Sequence, residues 1–538
     1  MFARSLSLLC LCAVLHLAPP AHGQEIHVGH DEVDHEAVDH GVPLYGTLGA
    51  HSRSVTTSSE RAQAYFDEGM QLMYAFGTST ARRSFQAARQ EDPECAMCWW
   101  GEAWSLSPYL NGRPGPSAER EARERIQRAR ELAPGRTDAA EEALIEAMAV
   151  RFSEEPEEGR AHLDSLYAQA MEDVARRFPD DLDVQTLHAE SLMLLRPRRG
   201  PVDLADPSVR EITDILEEVL DRDLKHPGAC HLYIHLVEAS AEPERAEACS
   251  DHLADAIPGA SHIQHMPSHI YMTIGRYGDA VRGNLRARHV DEQAEHGGVP
   301  GIYRAHNLHM LVFAAVFDGQ SAIAIDGARE LARMSEPQSF YLPLTLAIFG
   351  RWDDVLALHE RPRDEFREGM WHWARGMAHL RTGLPGSAGD NLRLLRHIEA
   401  EIPEDRNFRF HPQRVLLSIA GGILEGELEA ARGDEEAAIR VLQEAIAAHD
   451  GLVYDEPAPW HLPPRLTLGA LLVDMDRAAE AESVYRKALT HHPNLGWALF
   501  GLEQALRAQG REAEADEAAR EFEEAWARSD TWLRSSRF

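Results

Sequence analysis

From residue 58 onward, apolar positions recur at helical spacing, and small residues mark a longer period. Taking Ala62 as the first position of a 34-residue unit places Gly69 and Ala81 at positions 8 and 20, Phe85 at 24, Ala88 at 27 and Pro93 at 32. Starting instead at Leu462 places Gly469, Ala481, Tyr485, Ala488 and Pro493 at the same five positions. Each unit predicts a helix A packed closely on a helix B. The small residues permit the approach, and the proline stops helix B and opens the next unit. Poorer matches over 117–171 and 337–448 predict further helical pairs. Glycine and proline punctuate them at 112–116, 196–207, 383–389 and 451–464. No alternating apolar run is long enough for a substantial sheet. The expected fold is all-α: helical hairpin repeats forming a superhelical solenoid.

The middle repeats carry histidines. A unit begun at Pro227 puts Ala246 at position 20 and Pro258 at 32, with His231 and His235 at positions 5 and 9. A unit begun at Ser261 puts Ser268 at 8, Ala280 at 20 and Ala287 at 27, with His262, His265 and His269 at 2, 5 and 9. A looser unit from Ile302 puts His306 and His309 at 5 and 8. All seven fall on helix A or at its start, and in such a solenoid the A helices line the concave surface. Pro267 leaves two arrangements. Either the helix runs through it and His265 and His269 share a face, or the helix starts there and His262 and His265 lie in the loop before it.

Histidines one turn apart point the same way and can chelate a divalent ion, with neighbouring helices completing the shell. His231, His235, His262, His265, His269, His306 and His309 are therefore the expected metal ligands, and Glu238 could add a carboxylate. Imidazole-rich sites suit zinc, copper, iron or nickel; export makes zinc or copper the expected ion, with iron behind them. A histidine network for an organic anion, or plain packing, is the competing reading. No His-Glu-x-x-His helix, no phosphate loop, no dinucleotide fingerprint and no serine-hydrolase elbow is present, so no nucleotide or flavin cofactor is expected. A proline-stiffened loop, YDEPAPWHLPPR at 454–465, either closes over a ligand or caps the solenoid. Arg465, at the start of a helix A, is expected to point inward and pair with Glu456 or a substrate anion. Position alone makes Glu456, Arg465 and Tyr303 the candidate catalytic groups. Tyr233 and Tyr271, and the aromatics from Tyr65 to Tyr109, read as packing.

Composition changes the setting more than the fold. Residues 1–23 have a short basic start at Arg4, an apolar run over 6–17 and small residues before Gln24, which predicts a cleaved secretory signal and a periplasmic or secreted protein. No later stretch predicts a membrane span. The formal net charge is -34, which argues against nucleic acid as a partner and favours cations. Residues 24–57 hold His27, His30, His35 and His40 among aspartates and read as a poorly ordered polar arm. Domains are then expected at 58–225, 226–334 with the histidines, and 335–538. Of six cysteines, Cys95, Cys98, Cys230 and Cys249 remain after cleavage. A Cys95–Cys98 bridge looks awkward across a helix, Cys230–Cys249 is at least as plausible, and the spacing leaves the pairing open.

Six stretches also resemble a bacterial family of exported tetratricopeptide-repeat proteins, related in pattern to the animal tetratricopeptide protein 38 group. They are HSRSVTTSSERAQAYFDEGMQLMYAF at 51–76, DPECAMCWWGEAW at 92–104, HPGACHLYIHLVEAS at 226–240, GASHIQHMPSHIYMTIGRYGDAV at 259–281, AHNLHM at 305–310 and YDEPAPWHLPPR at 454–465. The resemblance implies an all-helical repeat superhelix and leaves the chemistry open. It departs at Gly77-Thr78-Ser79, where the family carries asparagine and histidine. Two functions follow as expectations. One is a repeat protein that binds a metal ion or small ligand through its histidines, with metal-dependent catalysis open to it. The other is a non-catalytic scaffold for a protein or peptide.

Overall fold

The computed structural model describes residues 43–152, 159–197 and 200–538. The expected signal and His27, His30, His35 and His40 lie outside the described residues. Among those described, helices dominate, and the one β-ladder pairs Asn407–Phe408 with His411–Pro412. The helices follow one another as antiparallel hairpins, an all-α repeat solenoid.

The first hairpin shows why the period works. Ser59 caps helix Glu60–Tyr74 by accepting from the Ala62 N–H. Helix Thr78–Glu91 returns beside it and sends Phe85 into the core. A Cβ at Gly69 would fall 2.5 Å from the Phe85 ring, and one at Gly101 2.3 Å from it. The aromatic at position 24 thus fills space left by a glycine of its own unit and a glycine of the next. Tyr485 repeats this between Gly469, at 2.5 Å, and Gly501, at 2.2 Å. Both hairpins read from the sequence are therefore locked by the same wedge.

The central hairpins position the histidines. Helices Pro227–Val237 and Glu247–Ala256 form the first. The second pairs Ser261–His265 and Pro267–Thr273 with Tyr277–Gln293. The third pairs Arg304–Phe317 with Ser321–Met334. Met266, between the two short pieces, keeps helical φ −51° and ψ −39°. Its N–H donates to the His262 carbonyl at 2.9 Å, and the His269 N–H donates to the Met266 carbonyl at 3.1 Å. The chain therefore runs helically through Pro267, and His265 and His269 share a face.

Two expectations need correction. The arm is packed from residue 43 rather than loose to 57. Arg53 forks onto Asp181 at 2.7 and 2.8 Å, and Thr56 bonds Glu141 through both its N–H and hydroxyl. Acidic groups near helix starts supply partners that composition alone does not reveal. Cys95–Cys98 also forms, alongside Cys230–Cys249. Cys95 is the N-cap of helix Ala96–Ser105, so it stands outside the helical turn that would have held it apart from Cys98.

The C-terminal repeats fold back onto the central ones. Tyr277 donates to the Pro493 carbonyl at 2.7 Å, Trp497 Nε1 donates to the Val316 carbonyl at 2.9 Å, and Arg528 pairs with Asp318 at 2.6 Å. The wall that an open solenoid would display as a groove is filled. His231, His265 and His309 have no exposed surface. Among the described residues no helix is long and apolar enough to cross a membrane.

Candidate metal centre

Four histidines of the central repeats, His231, His235, His265 and His269, are held through Nδ1, which decides what Nε2 offers. His231 Nδ1 lies 2.6 Å from the Tyr74 carbonyl, so Nδ1 carries the proton and Nε2 presents a lone pair. That Nε2 is buried and has no hydrogen-bond partner among the described residues. His235 Nδ1 faces Glu238 Oε1 at 3.2 Å, again the proton-bearing side. His265 Nδ1 meets Asn284 Oδ1 at 2.8 Å, and Asn284 spends its Nδ2 on the Ala280 carbonyl, which fixes the amide's orientation. His269 Nδ1 meets Glu238 Oε2 at 2.8 Å and also touches Glu456. His262 is buried with neither ring nitrogen bonded to a described residue.

The consequence is sharpest between His265 and His269, whose Nε2 atoms stand 2.7 Å apart. With both Nδ1 atoms committed as donors, two lone pairs face one another. A cation must sit there, a proton or a metal ion. Anchoring one imidazole nitrogen on a carboxylate, carbonyl or amide so that the other points inward is how proteins orient metal-binding histidines.

Electrostatics favour neutral rings at four of these histidines and a protonated ring at His269. Burial first, and then neighbouring imidazoles, hold His231, His262, His265 and His306 well below the ordinary imidazole value. Burial would push His269 down as well, but Glu456 and Glu238 pull it up. Burial alone would raise Glu238, yet His235 and His269 hold it well below the carboxylate range. Glu456 goes the other way, raised by burial and by the charge of Glu238. Of two carboxylates on one imidazole, one is thus kept ionised and the other driven toward neutrality.

The 454–465 loop covers this cluster. Glu456 reaches His269, and His461 reaches His309 with Nε2 atoms 2.9 Å apart. Trp460 packs edge-on to Trp373 at 5.2 Å. Arg409, at the tip of the 407–412 hairpin, ties the loop down through Asp455 at 2.5 Å and the carbonyls of Glu456 and Pro457 at 2.6 and 3.0 Å. His411 Nε2 adds a contact to Asp455 at 3.2 Å. Arg465 does not face the cluster: it forks onto Asp450, the aspartate that ends the preceding repeat helix. Tyr303 stands edge-on to His262 at 4.9 Å and shares a hydrogen bond of 2.8 Å with the Tyr109 hydroxyl. Of the three candidate catalytic groups, Glu456 and Tyr303 therefore border the histidines.

Sequence reasoning missed Asn284, on the partner helix of the same hairpin, and also Arg409, His411 and the Tyr74 carbonyl, each on an element remote in sequence. It also missed Phe76, which stacks on His235 at 5.7 Å and lies against His231 at 4.2 Å. A second acid–histidine group is not of the same kind. His51 and His226 flank Asp183 at 3.0 and 3.2 Å, and Tyr74 donates to it at 2.7 Å. His226 Nδ1 accepts the Ala229 N–H, which leaves its Nε2–H facing the Asp183 carboxylate at 3.2 Å as an ion-pair contact. An open cleft of about 530 Å³, lined by Glu172, Arg176, Gln185, His188 and Arg210 among others, shares no residue with the central histidines.

No family model matches the chain, and no curated protein does. Solved structures similar to it include the APC/C hetero-tetramer Cut9–Hcn1, at 13% identity over 87% of this chain and 74% of that one, with a TM-score of 0.28. A human IFIT1 dimer with m7Gppp-AAAA is similar at 10% identity over 88% and 90%, with a TM-score of 0.30. The TPR domain of P58(IPK) is similar at 11% identity over 84% and 98%, with a TM-score of 0.23. These likenesses are too distant to carry an argument, and the repeat assignment rests on the chain's own Phe85 and Tyr485 wedges.

Proposed function

We propose that this is an exported helical-repeat protein that binds transition-metal ions, zinc or copper first, through the buried imidazoles of its central repeats. The observation that carries the reading is the facing pair His265 and His269, whose other nitrogens are both already engaged. A proton alone could bridge that pair. It would leave His231 and His262 with buried nitrogens unsatisfied, each at a cost of ~1–3 kcal/mol. A metal ion satisfies rings of this kind together, and imidazole donors match zinc and copper. Oxidoreductase or hydrolase chemistry is the activity class such a centre serves. Glu456, raised toward its neutral form, is the group placed to hold or release a proton beside it.

The test is elemental analysis of the exported, mature protein purified without chelating resin, beside the H265A/H269A variant. About one or more zinc, copper or iron per chain, lost in the folded variant, is the expected result. A metal-free protein that also rejects zinc and copper at about micromolar concentration overturns it. A second reading, a protein- or peptide-binding scaffold, draws on the open cleft near His188 and Arg210. It predicts a stable partner whose binding survives H265A/H269A and is lost on R210E.

A further inference from the structure

Six of the histidines sort into two sets of three. His231, His235 and His262 each offer a ligand atom within 4.8 Å of the others, and so do His265, His269 and His306. Ring centroids lie 4.8, 5.0 and 6.4 Å apart in the first set and 4.7, 4.6 and 5.8 Å apart in the second. The sets are built alike. In each, a pair one helical turn apart is completed by a ring from the next helix A: His262 from Ser261–His265, and His306 from Arg304–Phe317. The two pairs occupy the same positions, 5 and 9, of consecutive repeats.

The sets also adjoin. His262 stacks against His265 at 5.6 Å, and His235 meets His269 edge-on at 5.8 Å. One carboxylate spans them, with Glu238 Oε1 on His235 and Oε2 on His269. His309 stays outside both sets. It pairs with His461, and both rings pack on Tyr341.

Resting on the metal reading above, we infer that the protein holds two transition-metal ions side by side, one in each histidine set, with Glu238 orienting one ring of each. Six imidazoles exceed the shell of one zinc or copper ion, whereas three imidazoles leave a position open for an exogenous ligand. Two such positions on neighbouring ions suit a small oxygen donor, such as hydroxide or an oxygen of a bound anion. The repeat itself explains the doubling: one site-forming hairpin, duplicated, makes two sites one step apart along the solenoid.

The experiment uses the full mature chain, stripped with a chelator, desalted and titrated with zinc, beside H231N/H262N and H265N/H306N. Bound metal is read by native mass spectrometry. About two ions in the parent and about one in each variant is the expected result. One ion in the parent overturns the two-ion inference and leaves the metal reading standing. Two ions that both vanish in one variant while the other keeps both also overturn it. No ion in any of the three overturns the metal reading itself. Copper(II) titration of the parent decides the matter without variants. A second equivalent that couples magnetically to the first supports adjacent ions, and an additive spectrum of two isolated ions overturns them.

Discussion

Glu238 does two jobs with one carboxylate. It orients His235 and His269 by their Nδ1–H groups and stays ionised because those rings hold it so. Replacing such a group by its amide removes the charge while nearly keeping the shape. E238Q is expected to lower affinity for both zinc equivalents by roughly 10–100-fold, with the far-ultraviolet dichroism unchanged. Competition against a chelator of known affinity measures it. An unchanged affinity would remove Glu238 from the site. The residue was visible in the sequence as an acid one turn after His235. Asn284, which does the same service for His265, was not, because its helix B position looks like any polar residue until the hairpin closes.

At the scale of the element, the hairpins were legible because packing writes itself into the sequence. Position 8 is glycine at Gly69 and Gly469 because an aromatic ring needs that space. The same ring needs a glycine in the next helix A, so G501A pushes a methyl into Tyr485. It is expected to destabilise the chain by ~1–3 kcal/mol. Chemical denaturation compared with G389A, a glycine inside helix Pro385–Glu401 whose added methyl would meet only the Arg432 guanidinium at 3.9 Å, separates overpacking from a general glycine effect. The helix through Pro267 was not decidable beforehand, since a proline both starts helices and bends them. Nor was the 43–57 segment, whose order comes from Asp181 and Glu141 rather than from any period of its own.

The whole molecule turns an expected groove into an interior. Repeat register placed the histidines on helix A correctly, but register describes one hairpin and its neighbour. It says nothing of C-terminal repeats returning onto the central ones through Pro493, Trp497 and Arg528. Burial then gives the metal-free protein a pH signature. His231, His262, His265, His306, His309 and His461 are held below the ordinary value near 6.5, His461 down to about 3. The unfolded chain gains protons below pH 6.5 that the folded chain refuses, so stability falls as pH drops from 6.5 toward 3. Each refusing ring costs ~1.4 kcal/mol per pH unit. His269, raised by its carboxylates, is protonated in both states below pH 6.5 and adds no slope there. Glu456, raised to about 7, takes up its proton earlier in the folded chain than in the unfolded one and opposes the trend with one group against six rings. Melting of chelator-treated protein is expected to drop steeply between pH 6.5 and 5. A flat profile there would show that the rings take up protons in place.

The covering loop also sets an order of events. His461 follows His309 by 152 residues, and Pro493 follows Tyr277 by 216. Contacts between such distant segments form late, because the closure entropy of the intervening chain must be met first. A chain emerging N-terminus first presents its histidine repeats before the parts that seal them. At ~5–20 residues per second, synthesis alone leaves seconds to half a minute in which a metal ion can enter without any opening of the finished fold. Exchange from the proposed centre would afterwards require the loop held by Arg409 to lift. The same centre would then load quickly in a new molecule and trade its metal slowly in an old one.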